Sequence, residues 1–305
     1  MANLKDIKNR IQSVQSTKKI TRAMKMVAAA KVKRAENAVK ASRPFTLELN
    51  SMFVKLLNSV DNVSETNIKI QSAVDNYPCL LKKRPIDEVG ILVLTSNKGL
   101  AGAYNANVIR KTIKLIENYS SKGIKSKLFV VGQKGISILR KRCKNLNCEI
   151  VGEYLSVANN PTPQGANLIT EDIAKYFVEE KIDQIEIVTT RFKNMMSYFV
   201  EDWIVLPVQP PEITEEHKID PLMEFEPDLE TILQKVVPLY ITNIIYQALL
   251  EAQASELASR MTAMSAANSN AEKMLNELSI EYNKTRQFAI TQELIEVVSG
   301  ANAQN

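Results

Sequence analysis

Few residues in this sequence have the types and spacing needed for chemistry, and the first to consider are two glycines in the stretch SNKGLAGAYN, residues 96–105. Glycines between a strand and a helix let backbone N–H groups approach a phosphate. Gly99 and Gly102 are spaced G-x-x-G, which matches neither the G-x-G-x-x-G fingerprint nor the G-K-[ST] ending of a P-loop. Because a tight strand-to-helix turn requires the same glycines, we favour a structural turn. A nucleotide-binding α/β enzyme is the alternative.

Histidine and cysteine chemistry is equally limited. The single histidine, His217, lies in an acidic, proline-rich stretch, where an imidazole is most often solvated. One histidine leaves little scope for a Ser/His/Asp arrangement or a zinc site. Cys143 and Cys148 could form a redox switch, but we favour two reduced thiols that pack beside a strand. The sequence therefore predicts no catalytic residue, no metal and no cofactor.

Charge is distributed unevenly along the chain. Residues 1–43 hold twelve Lys or Arg against Asp6 and Glu36, whereas the whole chain has a net charge of only +5. Such a block is typical of a nucleic-acid arm, an anionic-membrane contact or a solvated helix face. No run approaches the roughly 18 apolar residues that a membrane span needs, and the start lacks the order of a signal peptide. We therefore expect a chain that stays in or near the compartment where it is made.

The distribution of glycine and proline predicts two long helices. Eight of the nine glycines lie between positions 90 and 165, while residues 1–43 contain neither glycine nor proline, and residues 239–299 contain neither. Helices of this length are too long for the interior of a compact domain and must pair with each other. Pro44 should kink or interrupt the first helix without ending its pattern. The first helix is basic and the second is acidic, so we predict an antiparallel pair.

Apolar residues at alternating steps of three and four define the predicted seam between the helices. On the second helix the steps of four after Tyr282 predict a relaxed supercoil near the end. The predicted N-terminal seam is Leu4, Ile7, Ile11, Val14, Ile20, Met24, Val27, Ala28, Val32, Ala35 and Val39, continued by Leu49, Phe53, Leu56 and Val60. The C-terminal seam is Leu257, Met261, Met264, Asn268, Ala271, Leu275, Leu278 and Tyr282, followed by Arg286, Ile290 and Leu294.

The central part of the sequence alternates short apolar runs with helical patterns. EVGILVLTS at 88–96, KLFVVG at 127–132 and the stretch that begins CEIVGEYL at 148 indicate strands, and the segments between them have a helical period. This order predicts βαβ units and a mostly parallel sheet. Residues 197–208 predict an edge strand that could be antiparallel, with Trp203 as a packing residue. The predicted segments are a first helix at 1–62, a Rossmann-like α/β domain at 78–208, a connector at 209–227 and a second helix at 228–305.

Four stretches of the sequence resemble the gamma subunit of F-type ATP synthase. LKDIKNRIQSVQSTKKITRAMKMVAAAKVKRA at 4–35 is similar to the family's N-terminal helix, and NKGLAGAYN at 97–105 is similar to the first turn of its central domain. ASELASRMTAMSAANSNAEKML at 254–275 and YNKTRQFAITQELIEVVSGA at 282–301 resemble its C-terminal helix. The resemblance implies a non-catalytic rotor shaft, an antiparallel coiled coil with an inserted Rossmann-like α/β domain, which couples rotation of a proton-driven c-ring to the catalytic beta subunits.

The resemblance also implies partners and contact residues. One copy per complex would meet the alpha3beta3 hexamer, the epsilon subunit and the membrane c-ring, and the basic helix would face protein rather than nucleic acid. Because no transit peptide precedes the matching region, we expect the cytoplasmic face of a bacterial membrane, with an organellar inner or thylakoid membrane as the alternative. The residues that match hexamer contacts are Met24, Lys25, Arg260, Arg286, Gln287, Thr291 and Gln292.

Two features of the sequence bear on this resemblance. Ala101 stands where many relatives have cysteine, and no cysteine lies between Arg191 and Glu230 to supply the regulatory pair of photosynthetic members. We therefore expect no thiol regulation of the chloroplast type. The main rival from the residues alone is a basic coiled-coil protein that binds nucleic acid through residues 1–43, although that segment contains no aromatic side chain for stacking.

Overall fold

Two long helices flank an α/β region in the computed structural model, which describes residues 4–64, 80, 84–208 and 229–302. The predicted class, α/β with long terminal helices, is confirmed. Within the described residues, no helix is both long and apolar enough to cross a membrane. The elements are α1 (Leu4–Ser64), β1 (Glu88–Leu94), α2 (Tyr104–Ser121), β2 (Lys125–Val131), α3 (Gln133–Arg142), β3 (Cys148–Tyr154), α4 (Ser156–Asn159), α5 (Pro163–Val178), β4 (Gln184–Asn194), β5 (Ser197–Leu206) and α6 (Leu229–Asn302).

The chain forms two compact units. The helical unit comprises Met1–Ala30 and Arg260–Asn305, and the α/β unit comprises Lys31–Ser259. Each unit takes in parts of both long helices. The four segments predicted from the sequence remain a prediction, and the connector at 209–227 lies outside the described residues.

The sheet of the α/β unit has the order β3-β2-β1-β4-β5. The first four strands are parallel, and β5 pairs antiparallel with β4 at one edge, as predicted. Six of the seven residues of β1 are buried, because helices cover both faces of a parallel sheet. One face packs against α2 and α3 through Val108, Ile116, Ile136 and Leu139. The other face packs against α5 and against parts of α1 and α6.

The two long helices run antiparallel within the α/β unit. Thr46 accepts a hydrogen bond of 3.1 Å from the amide of Asn243, and the ring of Phe53 stacks on Tyr240 with centroids 4.1 Å apart. Positions that rise along α1 therefore meet positions that fall along α6. The predicted seam positions in this unit are buried: Val32, Ala35, Val39, Leu49, Phe53 and Leu56. The side chain of Val60 lies outside the described residues.

Pro44 does not interrupt α1. The helix is continuous from Leu4 to Ser64 with this proline inside it, so of the predicted kink or interruption the interruption does not occur, while the predicted continuation of the seam is confirmed. A proline removes one backbone donor from a helix. Packing of Leu49 and Phe53, which are 6% and 0% exposed, stabilises the segment that follows and offsets this loss.

A charged network ties the segment before β1 to the segment before β4. Arg84 Nε donates to Asp183 Oδ1 at 2.6 Å, and the guanidinium lies 4.5 Å from the centre of the Phe177 ring. The other Asp183 oxygen accepts from the backbone amides of Asp87 and Glu88 at 2.9 and 3.0 Å. Burial raises the pKa of the Asp183 carboxyl, but these two amides and Arg84 together lower it below its ordinary value.

The expectation of reduced thiols is wrong for one pair. Cys143 and Cys148 form a disulfide, with Cα atoms 5.1 Å apart. Cys143 follows the end of α3 and Cys148 begins β3, so the bond closes the turn between a helix and the edge strand. Both cysteines also pack against the core, as predicted.

Candidate functional site

All seven residues predicted to contact partners lie in the helical unit. Four of them, Arg286, Gln287, Thr291 and Gln292, are exposed on α6, and Lys25 is exposed on α1. Met24 and Arg260 are half-buried. The structure thus places these side chains on the paired-helix unit and none of them on the sheet.

The seam of α1 differs from the predicted seam at two positions. Ile20 and Val27 are 59% and 56% exposed, so their predicted inward placement is wrong. The positions that face inward follow an unbroken series of steps of three and four, which a count by spacing alone would have found. The series is Leu4, Ile7, Ile11, Val14, Lys18, Thr21, Met24 and Ala28.

Two polar side chains occupy that seam. Thr21 is 8% exposed, and its hydroxyl donates to the carbonyl of Lys18 at 3.1 Å. Lys18 reaches Glu272 on α6, with Nζ 2.8 Å from Oε1. The hydrogen bond and the charge of Lys18 lower the pKa of the Glu272 carboxyl. The stem of a lysine can cover apolar surface while its ammonium group pairs at the rim, so a lysine can hold a seam position.

The seam of α6 is confirmed up to Tyr282 and wrong after it. The eight predicted positions from Leu257 to Tyr282 are buried or half-buried. The next half-buried positions are Thr285 and Ala289, which keep the alternating steps. Arg286, Ile290 and Leu294 are exposed, so the predicted shift to steps of four does not occur.

The helical unit exposes an extensive apolar surface. Every residue from 291 to 299 is exposed, including Leu294 at 61% and Val297 at 69%. Large exposed apolar patches rimmed by polar groups mark interaction sites. The other large apolar side chains exposed in this unit are Ile20, Met26, Val27, Met274, Ile280, Phe288, Ile290, Ile295 and Val298.

Exposed cations lie between these apolar side chains on α1. On the α1 part of the helical unit, Lys5, Lys8, Arg10, Lys19, Arg22 and Lys25 are exposed, together with the single carboxylate of Asp6. On α6 the polar contacts are local: Thr291 donates to the Gln287 carbonyl at 2.8 Å, and Gln292 donates to Glu296 at 3.1 Å. The exposed side of α1 is therefore cationic and apolar at once.

Polar groups of the glycine turn at residues 96–105 form hydrogen bonds within the protein. The Ser96 amide donates to the side-chain oxygen of Asn105 at 3.0 Å, and the Ser96 hydroxyl donates to the Lys98 carbonyl at 2.8 Å. Ser259 on α6 donates to the Ala101 carbonyl at 2.7 Å. The turn therefore lies between β1 and α2, as predicted, and it also contacts α6 through Ser259. No group of three His, Cys, Asp or Glu side chains within the described part of the chain could hold a metal ion.

Comparison with known proteins gives a consistent result. The family model described as ATP synthase matches residues 3–304. The ATP synthase gamma chain of Synechococcus sp. strain JA-3-3Ab is 38% identical, with 99% of this chain and 100% of the relative covered. The ATP synthase gamma chain of Gloeobacter violaceus is also 38% identical, with the same coverage.

Solved structures agree in fold. A chain from the central stalk and c-ring of the Tetrahymena thermophila mitochondrial ATP synthase is 27% identical, with a TM-score of 0.55 over 81% of this chain and 99% of that chain. A chain from the Euglena gracilis mitochondrial ATP synthase assembly of OSCP, F1 and c-ring has a TM-score of 0.65 over 99% of this chain and 94% of that chain. The second match, at 17% identity, supports the fold alone.

Proposed function

Because the chain belongs to the family of ATP synthase gamma chains, we propose that its helical unit transmits rotation to the catalytic subunits of the complex. The chain is a non-catalytic central-stalk subunit of an F-type ATP synthase, and the beta subunits carry out catalysis. The observation that carries the proposal is the exposed apolar and cationic surface of the helical unit, because a large exposed apolar patch rimmed by polar groups marks an interaction site.

The side of each helix that faces its partner helix makes the proposed shaft stiff. Seam residues such as Ala28, Met264 and Leu278 are 2%, 5% and 6% exposed, so the two helices pack closely and turn as one body. The opposite, exposed side of each helix then contacts the alpha3beta3 hexamer. An exposed surface that differs from one side of the shaft to the other presents a different contact to each beta subunit, and rotation changes those contacts in turn.

Seven side chains are proposed to contact the hexamer: Met24, Lys25, Arg260, Arg286, Gln287, Thr291 and Gln292. Their support is the match to family motifs and their position in the helical unit. The exposed guanidinium of Arg286 and the amides of Gln287 and Gln292 can donate to carbonyl or carboxylate oxygens on a surrounding loop.

The wider assembly follows from the family. We propose one copy per complex, bound to the epsilon subunit and to a proton-driven c-ring through the α/β unit. The complex is membrane-associated, and we propose the cytoplasmic face of a bacterial membrane for this chain, with a thylakoid or organellar inner membrane as the alternative. Its relatives include cyanobacterial gamma chains.

The test is reconstitution with alpha and beta subunits in a coupled membrane system. Arg260→Ala and Gln287→Ala should each lower ATP synthesis roughly fivefold or more, because the loss of a donor leaves a buried acceptor on the partner unsatisfied, which costs about 1–3 kcal/mol. Lys273→Ala, which changes an exposed side chain of the same helix, is the matched control and should retain ATP synthesis. Circular dichroism should show the same helix content in all three variants.

Two results would count against the proposal. If all three variants synthesise ATP at the wild-type rate, the assigned contacts are wrong. If the wild-type chain elutes separately from alpha and beta subunits, and the hexamer hydrolyses ATP cooperatively without it, the role as a central shaft is wrong.

A further inference from the structure

A basic cleft lies in the α/β unit where α1 and α6 pass the β4–β5 hairpin. Its volume is about 520 Å³, which falls in the range of small-molecule sites. Three cations from two elements line it: Arg43 on α1, and Arg191 and Lys193 on β4. Its remaining lining residues are Thr46, Leu47, Phe192, Phe199, Gln247 and Glu251.

The cleft has three cationic side chains and one carboxylate, so its net positive charge favours an anionic ligand. Glu251 is the only carboxylate that lines it, and its oxygens already accept from the Gln247 amide at 3.0 Å and the Phe192 backbone amide at 3.3 Å. Arg43 stands 3.6 Å from the same carboxylate, and Arg191 stands 3.9 Å from Glu201. Both distances exceed the 2.7–2.9 Å of a strong charged hydrogen bond, so N–H groups of both guanidiniums can donate to a ligand.

Lys193 adds a third cation with no carboxylate within 4 Å among the residues that the structure describes. Its ammonium group lies 5.4 Å from the centre of the Phe199 ring, which is 52% exposed. The cleft therefore combines converging positive charge with aromatic surface.

A second cavity of about 290 Å³ adjoins the cleft and shares Thr46, Arg191, Gln247 and Glu251 with it. Trp203 and Tyr240 line this second cavity. It therefore places aromatic surface beside the cations of the cleft.

We propose that the basic cleft binds a small organic anion, a phosphate monoester or a carboxylate, with an aromatic or aliphatic body. The anionic group lies against Arg43, Arg191 and Lys193, and the body extends toward Trp203. This site is separate from the residues assigned to the hexamer, all of which lie in the helical unit, so its test does not depend on the proposed rotor function.

The chain provides its own reporter, because Trp203 is its single tryptophan. The full-length chain is titrated with 4-aminophenyl phosphate, 4-aminobenzoate and aniline while tryptophan fluorescence is recorded, and calorimetry with the same compounds runs in parallel. The two anions distinguish a phosphate from a carboxylate ligand, and aniline has the same ring and amino group without the anionic charge. We expect saturable binding of at least one anion and none of aniline.

Arg191→Gln and Lys193→Gln should each weaken that binding about tenfold, because each removes one charged contact. Both side chains sit at the surface of the unit, with Arg191 65% exposed, so both variants should fold. Lys141→Gln removes an exposed cation elsewhere in the same unit and is the matched control. Calorimetry that detects no binding at millimolar anion overturns the proposal, and so does equal weakening by the control or equal binding of aniline.

Discussion

Truncation of one seam residue should loosen the helical unit, whereas the same truncation two positions away should not. Leu278 is 6% exposed and Ile280 is 70% exposed, although both are aliphatic side chains of the same size on α6. Leu278→Ala removes buried methyl groups from the contact between the helices. Ile280→Ala removes groups that already lie in water.

The expected magnitudes follow from these exposures. A buried Leu→Ala change costs about 2–5 kcal/mol, and a seam between only two helices can partly close around the gap, so we expect about 2–3 kcal/mol. Alanine is the better helix former at an exposed position by a few tenths of a kcal/mol, so Ile280→Ala should be neutral or slightly stabilising.

Native-state hydrogen exchange of the full chain measures this locally. Because each 1.4 kcal/mol is a factor of ten, amides of peptides around residues 270–285 should exchange about 30-fold to 150-fold faster in Leu278→Ala. The same amides should change less than about threefold in Ile280→Ala, and amides of the sheet should change in neither variant. Equal acceleration by the two changes, or none by Leu278→Ala, would refute the assignment of Leu278 to the seam.

Three further predictions concern the α/β unit. Asp183→Asn should lower the free energy of unfolding at pH 7, and the difference from wild type should shrink as pH falls below about 4, because the paired carboxylate stabilises the fold only while it is ionised. Gly132→Ala should cost about 2–4 kcal/mol in thermal unfolding, since Gly132 has φ +96° and an added Cβ would lie 2.3 Å from the carbonyl oxygen of Thr95. Cys148→Ser should cost about 2 kcal/mol in urea without reductant, because the disulfide closes a short loop.

Each of these has an outcome that would contradict it. The Asp183 account is wrong if the difference from wild type stays constant between pH 7 and pH 3. Gly123 also has a positive φ, of +79°, but nothing within 4 Å of an added Cβ, so Gly123→Ala separates backbone strain from the clash. A Gly132→Ala protein as stable as Gly123→Ala would argue against the clash. Wild-type protein in reductant should have the same free energy of unfolding as Cys148→Ser. A large remaining difference would show that side-chain packing, and not the disulfide, sets the cost.

The sequence predicted the elements that depend on local pattern. The α/β order was readable because helices cover both faces of the sheet, which makes strands such as β1 continuously apolar. The antiparallel placement of β5 has a local cause, since only residues 195 and 196 separate it from β4, and a link so short permits only a hairpin.

Other features required three-dimensional packing. Apolar character pointed to Ile20 and Val27 as seam residues, but the period of the helix pair places Lys18 and Thr21 there, and a lysine stem satisfies such a position. The disulfide depends on how the end of α3 meets β3, which a spacing of five residues does not specify. The basic cleft joins side chains from positions 43, 191 and 193, whose proximity only the fold creates.

Direct observation of rotation tests the central claim most closely. A biotin acceptor peptide inserted at Met196, which is 84% exposed in the β4–β5 turn, would carry a bead on a complex whose alpha and beta subunits are fixed to a surface. If the chain is the central shaft, ATP should drive stepwise rotation of the bead in one direction, and deletion of residues 290–305 should weaken or abolish it. A complex that contains the chain and hydrolyses ATP while the bead stays still would contradict the account.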